Sequence, residues 1–186
     1  MSGDERRITY RLTSEWLGLK RQQPFPSIDF LDPNRFSVDW NQCVLIRLLG
    51  DEQNPGEESF EFEFIGAGFR KDAMALTVGT RLNAVPEECL LSLTSPALLK
   101  VFERQTAVIY SGCRSWRSSG AIYFQSIAVP FSDNRGVLKY GLGALGYKVS
   151  KDPLSPDDAR TEYLEFCDGG WAPFGPMTTA DLIAAA

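Results

Sequence analysis

The stretch that most constrains the fold is residues 120–148, in which two apolar arms flank the sequence SDNRG at residues 132–136. Asp and Asn side chains hydrogen-bond to nearby backbone groups, and Gly adopts a positive φ without steric cost. Both arms are rich in Ile, Val, Tyr and Phe. The second arm alternates, with these residues on one face: Leu138, Tyr140, Leu142 and Ala144. This pattern predicts a long antiparallel hairpin.

A second strand pattern occupies residues 58–65, ESFEFEFI. Side chains alternate between the two faces of a strand, so Phe60, Phe62 and Phe64 are predicted to share one face. A face with three phenylalanines needs a cover. We expect that cover from residues 68–106, where Ser95-Pro96 begins a helix.

Another strand is predicted before residue 58, at residues 42–49, QCVLIRLL. We expect it to pair with the strand at 58–65 and also to border the second hairpin arm at 137–148. A further strand is predicted at 107–117, before the hairpin. Two strands, several short helices and three strands therefore follow one another.

Residues 5–21 are predicted to form a helix with one apolar stripe, spaced four, four and three residues apart. Its members are Ile8, Leu12, Trp16 and Leu19. The stripe packs either on the sheet of its own chain or on a second copy. Because two-fold dimers are the commonest oligomers of soluble proteins, we predict a homodimer through this helix.

The absence of histidine limits the chemistry of the chain. It excludes Ser-His-Asp triads, Cys-His dyads, H-E-x-x-H metal sites and histidine-ligated haem. The four cysteines are scattered without a C-x-x-C pair. We therefore predict no cofactor and no structural metal.

Charge is distributed unevenly along the chain, whose net charge is −5. Residues 149–186 contain two basic and seven acidic residues, and residues 1–148 contain 17 of each. Nucleic-acid binders usually have a basic excess, so we predict no nucleic-acid partner. No apolar run approaches the roughly 18 residues that span a bilayer, and the N-terminus lacks the apolar core of a signal peptide. We expect a cytoplasmic protein without a membrane partner.

The acidic, proline-containing segment 150–186 is predicted to be a C-terminal tail separate from the body at 1–149. Within the tail, Ser155 and Pro156 predict the start of a short helix, and Gly169 and Gly170 its end. One face of that helix would contain Ala159, Tyr163, Phe166 and Cys167.

Several fragments, in this order, resemble a known family. Pro26-Ser27-Ile28-Asp29 is followed by Phe64-Ile65-Gly66, then by YFQSIAVPFSD at 123–133, and then by Leu142-Gly143-Ala144. Together they resemble the PAS domain family, in particular short bacterial PAS proteins that stand alone, over roughly residues 8–148. The resemblance implies an α+β fold, with a five-stranded antiparallel sheet and short helices on one face. It also implies a non-enzymatic sensory or protein-interaction module in signal transduction, with a small ligand or a signalling protein as its partner.

A curved sheet under short helices often encloses a ligand pocket lined by aromatic side chains. The candidates for that lining are Phe62, Phe64, Phe102, Tyr110, Phe124 and Tyr140, with Gln125 or Ser126 as the polar group that orients a small apolar or aromatic ligand. The same residues also fit a filled core.

Two other classes of function stay open at this point. One is a small enzyme on a helix-covered curved sheet, using a pocket carboxylate for proton transfer. The other is a purely structural interaction protein. Cys113 beside Arg114 and Arg117 is either a thiol activated by cations or a strand end with solvated arginines.

Overall fold

The computed structural model describes residues 3–50, 55–71, 76–117, 120–154, 159–167 and 169–174, with residues 3–7 described by their backbone. The described helices are α1 (Gly3–Lys20), α2 (Ala67–Arg70) and α3 (Ser95–Arg104). The described strands are β1 (Cys43–Leu48), β2 (Phe60–Ile65), β3 (Val108–Trp116), β4 (Gly120–Ser132), β5 (Leu138–Ser150), β6 (Arg160–Cys167) and β7 (Gly170–Pro173). Short 3-10 turns lie between them at Ile28–Phe30, Trp40–Gln42, Glu57–Ser59, Leu82–Ala84 and Leu90–Leu93. None of the described helices is long and apolar enough to cross a membrane.

These strands form one open antiparallel sheet in the order β2-β1-β5-β4-β3-β6-β7, which makes the chain an α+β protein. The predicted neighbours of β1 are confirmed, since β1 pairs with β2 on one side and with β5 on the other. The prediction of five strands is wrong. β6 pairs with β3 and β7 pairs with β6, so the sheet has seven strands.

The predicted hairpin is confirmed as β4 and β5, which pair from Ala121 opposite Ser150 to Ser132 opposite Leu138. Its turn is held by Asp133, whose Oδ1 accepts hydrogen bonds from the backbone N–H groups of Arg135 at 2.9 Å and Val137 at 3.0 Å. Gly136 has a φ of +81° in this turn. The turn chemistry identified in the sequence therefore closes the hairpin.

The predicted C-terminal helix is wrong over the residues that the structure describes. The predicted cap, Ser155 and Pro156, lies outside the described residues, and residues 160–167 form strand β6 along the edge of β3. An uncovered edge strand leaves a row of backbone hydrogen-bonding groups unpaired, and a strand satisfies them where a helix cannot. The tail therefore continues the sheet as β6 (Arg160–Cys167) and β7 (Gly170–Pro173) rather than staying outside it.

Each face of the sheet is covered by a different part of the chain. One face, called the α3 face, is covered by α3 and the segment before it, which pack on side chains of β1, β2, β3, β4 and β5. Gly141 and Gly143 permit this close approach, because a Cβ at Gly141 would lie 3.1 Å from the Phe102 ring and a Cβ at Gly143 would lie 2.8 Å from Cγ2 of Thr94. The α1 face, on the opposite side, carries α1 and apolar side chains of residues 28–40.

The apolar stripe of α1 packs on the sheet of its own chain. Leu12 and Trp16 are fully buried and Ile8 is 7% exposed, while Leu19 packs against the same cluster from a half-buried position. The Nε1 of Trp16 donates a 2.8 Å hydrogen bond to the carbonyl oxygen of Pro130 in β4. Of the two alternatives for the stripe, the intramolecular one holds for its buried members Ile8, Leu12 and Trp16. The homodimer itself stays a prediction.

A β-bulge in β2 breaks the predicted alternation of the phenylalanines. Leu45 of β1 lies opposite Phe64, but the next residue, Ile46, lies opposite Phe62, so Glu63 is the extra residue. A bulge of this kind reverses the order of the faces beyond it. Phe60 and Phe62 are buried on the α3 face, whereas Phe64 packs on the α1 face. The prediction that all three share one face is therefore wrong for Phe64.

Candidate functional site

The predicted pocket residues do not converge on one place. Five of them lie in the core on the α3 face: Phe62, Phe102, Tyr110, Phe124 and Ser126. The other three lie on the α1 face: Phe64, Gln125 and Tyr140. Because a sheet separates the two groups, a single cavity lined by all eight does not exist.

The aromatic members on the α3 face are packed against one another. The Tyr110 ring lies 5.1 Å from that of Phe124 and stacks on Tyr163 of β6 at 4.7 Å between centroids. The ring centroids of Phe102 and Phe60 lie 4.6 Å apart. Burial raises the pKa of Tyr110, so its hydroxyl stays protonated. These contacts are those of a filled core.

Ser126, one of the two predicted polar groups, is fully buried, and its hydroxyl has no hydrogen-bond partner among the described residues. Thr94 is in the same situation. An unpaired buried hydroxyl costs roughly 1–3 kcal/mol. Gln125, the other predicted group, accepts a 2.8 Å hydrogen bond from Oγ1 of Thr9 in α1 and so helps to fix α1 on the sheet.

An apolar pocket lies on the α1 face, beneath a covering segment formed by residues 26–42. The carbonyl oxygen of Pro26 accepts a 2.9 Å hydrogen bond from the backbone N–H of Ser132 in β4, which fixes one end of the segment. At the other end Asp39 caps the turn Trp40–Gln42, because its Oδ1 accepts a 3.0 Å bond from the N–H of Asn41. The backbone N–H of Gly66 then bonds to the carbonyl oxygen of Cys43 at 2.9 Å. Held in this way, the segment packs beside Leu45 of β1 and Phe64 of β2.

The pocket has a volume of about 300 Å³. It is lined by these six apolar residues: Ile28, Leu31, Pro33, Trp40, Leu45 and Phe64. The rings of Trp40 and Phe64 meet edge to face, with centroids 5.7 Å apart and an interplanar angle of 81°. The ring centroid of Phe36 lies 6.2 Å from that of Trp40. This pocket offers an apolar or aromatic molecule a partly enclosed site without a charged wall.

Trp40 contributes its ring to this pocket, and its indole N–H does not open into the pocket. Its Nε1 atom is buried and has no acceptor among the described residues. By contrast, the Nε1 of Trp16 on the same face bonds to Pro130. Buried indole N–H groups usually have a partner, so the unpaired donor of Trp40 is unusual.

Only Phe64 among the sequence candidates lines this pocket, and it does so because of the bulge. The other five were not among the candidates, and four of them lie between the predicted helix at 5–21 and the predicted strand at 42–49, where the sequence predicted no helix or strand. The available signal was the density of apolar residues in that segment, which contains Phe25, Ile28, Phe30 and Leu31 within a short span. A loop of this composition needs an apolar surface to cover.

A smaller pocket of about 100 Å³ lies near the end of β5. Its lining mixes polar and apolar residues: Asp39, Asn41, Gln42, Gly68, Phe69, Leu90, Leu145 and Tyr147. The carboxylate of Asp39 already accepts the capping bond from Asn41. Glu57, whose pKa is raised mainly by burial and secondly by Glu58, lies outside both pockets. Neither pocket therefore presents a free carboxyl poised for proton transfer.

Cys43 is not an activated thiol, and Cys113 does not pair with Arg114. Burial raises the pKa of the Cys43 thiol to about 12, and Asp39 adds to the effect. Cys113 is buried in β3, and neighbouring strand residues point to opposite faces, so Arg114 projects away from it. The Arg114 guanidinium instead donates a 2.7 Å bond to Oγ of Ser92. Within the described ranges, no group of His, Cys, Asp and Glu side chains could hold a metal ion.

Comparison with protein-family models, with curated proteins and with solved structures found no match to this chain.

Proposed function

We propose that the protein is a PAS-type sensory or interaction module without enzymatic activity, which binds a small apolar or aromatic ligand. The observation that carries this proposal is the 300 Å³ pocket, whose lining is apolar throughout. Its volume lies at the lower end of the range of small-molecule sites, about 300–1,000 Å³. The ligand would lie on the α1 face, opposite the face that the sequence analysis favoured.

The PAS part of the proposal is supported by the order of the elements. β1 and β2 are followed by short helices and then by β3, β4 and β5, as the sequence resemblance implies. In the sheet, the hairpin β4–β5 places β5 beside β1, so the first and last strands of this unit are neighbours. Strands β6 and β7 and the packing of α1 on the second face are additions to that pattern.

The two rival functions have less support. An enzyme using a pocket carboxylate would need an acid in a cavity, and the apolar pocket has none. A structural protein with a filled core agrees with the α3 face, but it gives no reason for a pocket beneath the covering segment.

Native mass spectrometry with a library of small aromatic molecules tests the proposal. We expect one-to-one complexes with the wild-type protein, and we expect Leu31→Trp to lose them because the larger side chain fills the pocket. Leu17→Trp is the matched control, because Leu17 lies on the exposed side of α1, outside the pocket. The proposal fails if the wild type binds no library member, or if Leu31→Trp binds the same members equally well. The native mass also reports whether the chain forms the predicted homodimer.

A further inference from the structure

An exposed aromatic side chain lies directly beside the apolar pocket. Phe30 is 58% exposed and belongs to neither apolar cluster of the core. It shares the turn Ile28–Phe30 with Ile28 and is followed in the chain by Leu31, and both of these neighbours line the pocket. Phe30 itself is not part of the lining. This short stretch therefore presents an exposed ring next to an apolar pocket.

The pocket is large enough for a phenylalanine ring and is open at this surface. An apolar cavity of about 150 Å³ admits one benzene ring, and the pocket has about 300 Å³. Its lining residue Pro33 is exposed, and Ile28 and Leu31 are half-buried, so the covering segment does not close the pocket. Trp40 and Phe64 border it with rings at 81° to each other. Because aromatic rings pack well edge to face or offset-stacked, these two walls suit a third ring.

The short distance along the chain between the ring and the pocket decides how two copies can associate. A protruding group and a pocket on different sides of a protein give head-to-tail contacts, which continue into open chains of molecules. A patch that is complementary to itself instead closes as a two-fold dimer. Here Phe30 lies next to the lining residue Leu31, so both parts belong to one patch. A two-fold axis through this patch places each ring at the pocket of the other copy.

The charged side chains around Phe30 are compatible with such a contact. Asp29 and Arg35 are exposed and Asp32 is half-buried. In the part of the chain that the structure describes, none of these three side chains forms an ion pair. Opposite charges across an interface steer association and fix its register. The patch carries both signs, so Arg35 of one copy can pair with an aspartate of the other.

From these observations we infer that two copies of the chain associate through residues 28–35, with the Phe30 ring of each copy inserted in the apolar pocket of the other. The inference goes beyond ligand binding, because it needs only the pocket and the exposed ring. It also places the predicted homodimer on a surface other than the α1 stripe, most of which is buried in its own chain. A free ligand and Phe30 of the second copy occupy the same space, so the two kinds of binding exclude each other.

Sedimentation velocity of the full chain over a range of concentrations tests the role of the ring. We expect a monomer–dimer equilibrium in the wild type. Phe30→Ala should raise the dimer dissociation constant by at least about tenfold, because an aromatic anchor in a pocket is a typical interface hot spot. The variant should stay folded, since the side chain is mostly exposed. Tyr10→Ala is the matched control, because Tyr10 is 75% exposed on α1 and outside the pocket lining, and it should leave the dissociation constant unchanged.

A mixing experiment tests whether the ring enters the pocket. Leu31→Trp fills the pocket and keeps the ring, whereas Phe30→Ala keeps the pocket and lacks the ring. Each variant alone should dimerise weakly. Their equimolar mixture should form heterodimers, which native mass spectrometry identifies by mass, because one ring then meets one open pocket. A mixture of Leu31→Trp with Tyr10→Ala should form fewer heterodimers, since its second ring meets a filled pocket.

Circular dichroism first establishes that each variant is folded. If Leu31→Trp does not fold, Pro33→Trp replaces it, because Pro33 is an exposed member of the lining. The inference is overturned if the wild type stays monomeric at submillimolar concentrations, if Phe30→Ala dimerises as strongly as the wild type, or if the first mixture forms no more heterodimers than the second. None of these results affects the ligand-binding function, which the binding of small aromatic molecules tests separately.

Discussion

Phe62 and Phe64 lie two residues apart in β2, yet their surroundings differ. Phe62 is 1% exposed in the core on the α3 face, whereas Phe64 is only partly buried and borders the apolar pocket. The bulge at Glu63 separates them, and Arg47 of β1 holds this part of the strand through a 2.7 Å ion pair with Glu63 and a second pair with Glu61. At the scale of the residue, one irregularity in the pairing thus supplies the pocket with its aromatic wall.

This difference predicts unequal effects of truncation. Phe62→Ala should lower the free energy of unfolding by about 3–5 kcal/mol, because it leaves a cavity in a closely packed core. Phe64→Ala should cost less than about 2 kcal/mol, because the pocket already borders that ring. Urea unfolding of the two variants measures both values. Equal losses of unfolding free energy in the two variants would show that Phe64 is as buried as Phe62, and that the bulge does not direct it out of the core.

At the scale of the element, β6 forms an ion pair with α3 and also pairs with β3. Arg104, in the last turn of α3, donates two hydrogen bonds to the Glu165 carboxylate, at 2.7 and 2.9 Å, and its guanidinium lies 4.8 Å from the centre of the Phe174 ring. The hydrogen bond from Arg104 lowers the pKa of Glu165 in the folded protein. A lowered pKa means that the ionised carboxylate stabilises the fold.

The sign of this linkage gives a pH-dependent prediction. Glu165 should stabilise the protein above its unfolded pKa of about 4.3, and the contribution should disappear as the pH falls through the lower folded pKa. We expect Glu165→Gln to cost about 0.5–1 kcal/mol near neutral pH, since the pair is partly exposed. The cost should be smaller at about pH 3 than near neutral pH.

Urea unfolding at the two pH values measures this difference. Glu103→Gln is the control, because Glu103 is an exposed carboxylate that pairs with Lys100 within α3. Its effect should stay within about 0.5 kcal/mol. A cost for Glu165→Gln that is the same at both pH values would show that the carboxylate does not stabilise β6 by its charge.

The elements that the sequence predicted are those with local signals. The β4–β5 hairpin follows from the turn residues around Asp133 and from the alternation in its arms. β6 has no such signal, because the spacing of Tyr163, Leu164 and Phe166 fits a helix as well as a strand. In the strand that forms, Tyr163 lies on one face, and Leu164 and Phe166 lie on the opposite face. Its conformation is decided by the edge of β3, which is distant in sequence. The pocket was missed for the same reason, since it depends on where the covering segment lies on the sheet.

At the scale of the whole molecule, the described residues from α1 to β7 form one folded unit built on a single sheet. The clusters on both faces extend to the C-terminal strands. Tyr163 of β6 belongs to the core on the α3 face, and Phe166 of β6 contacts Trp16 of α1 edge to face at 6.4 Å on the other. The first element, α1, thus contacts the C-terminal strand β6 on the α1 face of the sheet. A composition change at residue 150 therefore does not mark the end of the core.

A substitution at Gly112 tests whether β6 belongs to this core. Gly112 lies in β3, opposite Thr161, and a Cβ there would lie 3.0 Å from the Cα of Thr161 and would also crowd the carbonyl oxygen of Arg160. Because backbone atoms cannot move aside without shifting the strand, Gly112→Ala should destabilise the protein by about 1–3 kcal/mol. Gly170→Ala is the matched control, since a Cβ at Gly170 would meet nothing within 4 Å. Replacing a glycine in a strand at an unobstructed position should be neutral or stabilise by up to about 1 kcal/mol. Thermal unfolding of the two variants beside the wild type compares these effects. If β6 were separate from the sheet, Gly112→Ala would behave like Gly170→Ala, and the seven-stranded arrangement would be refuted.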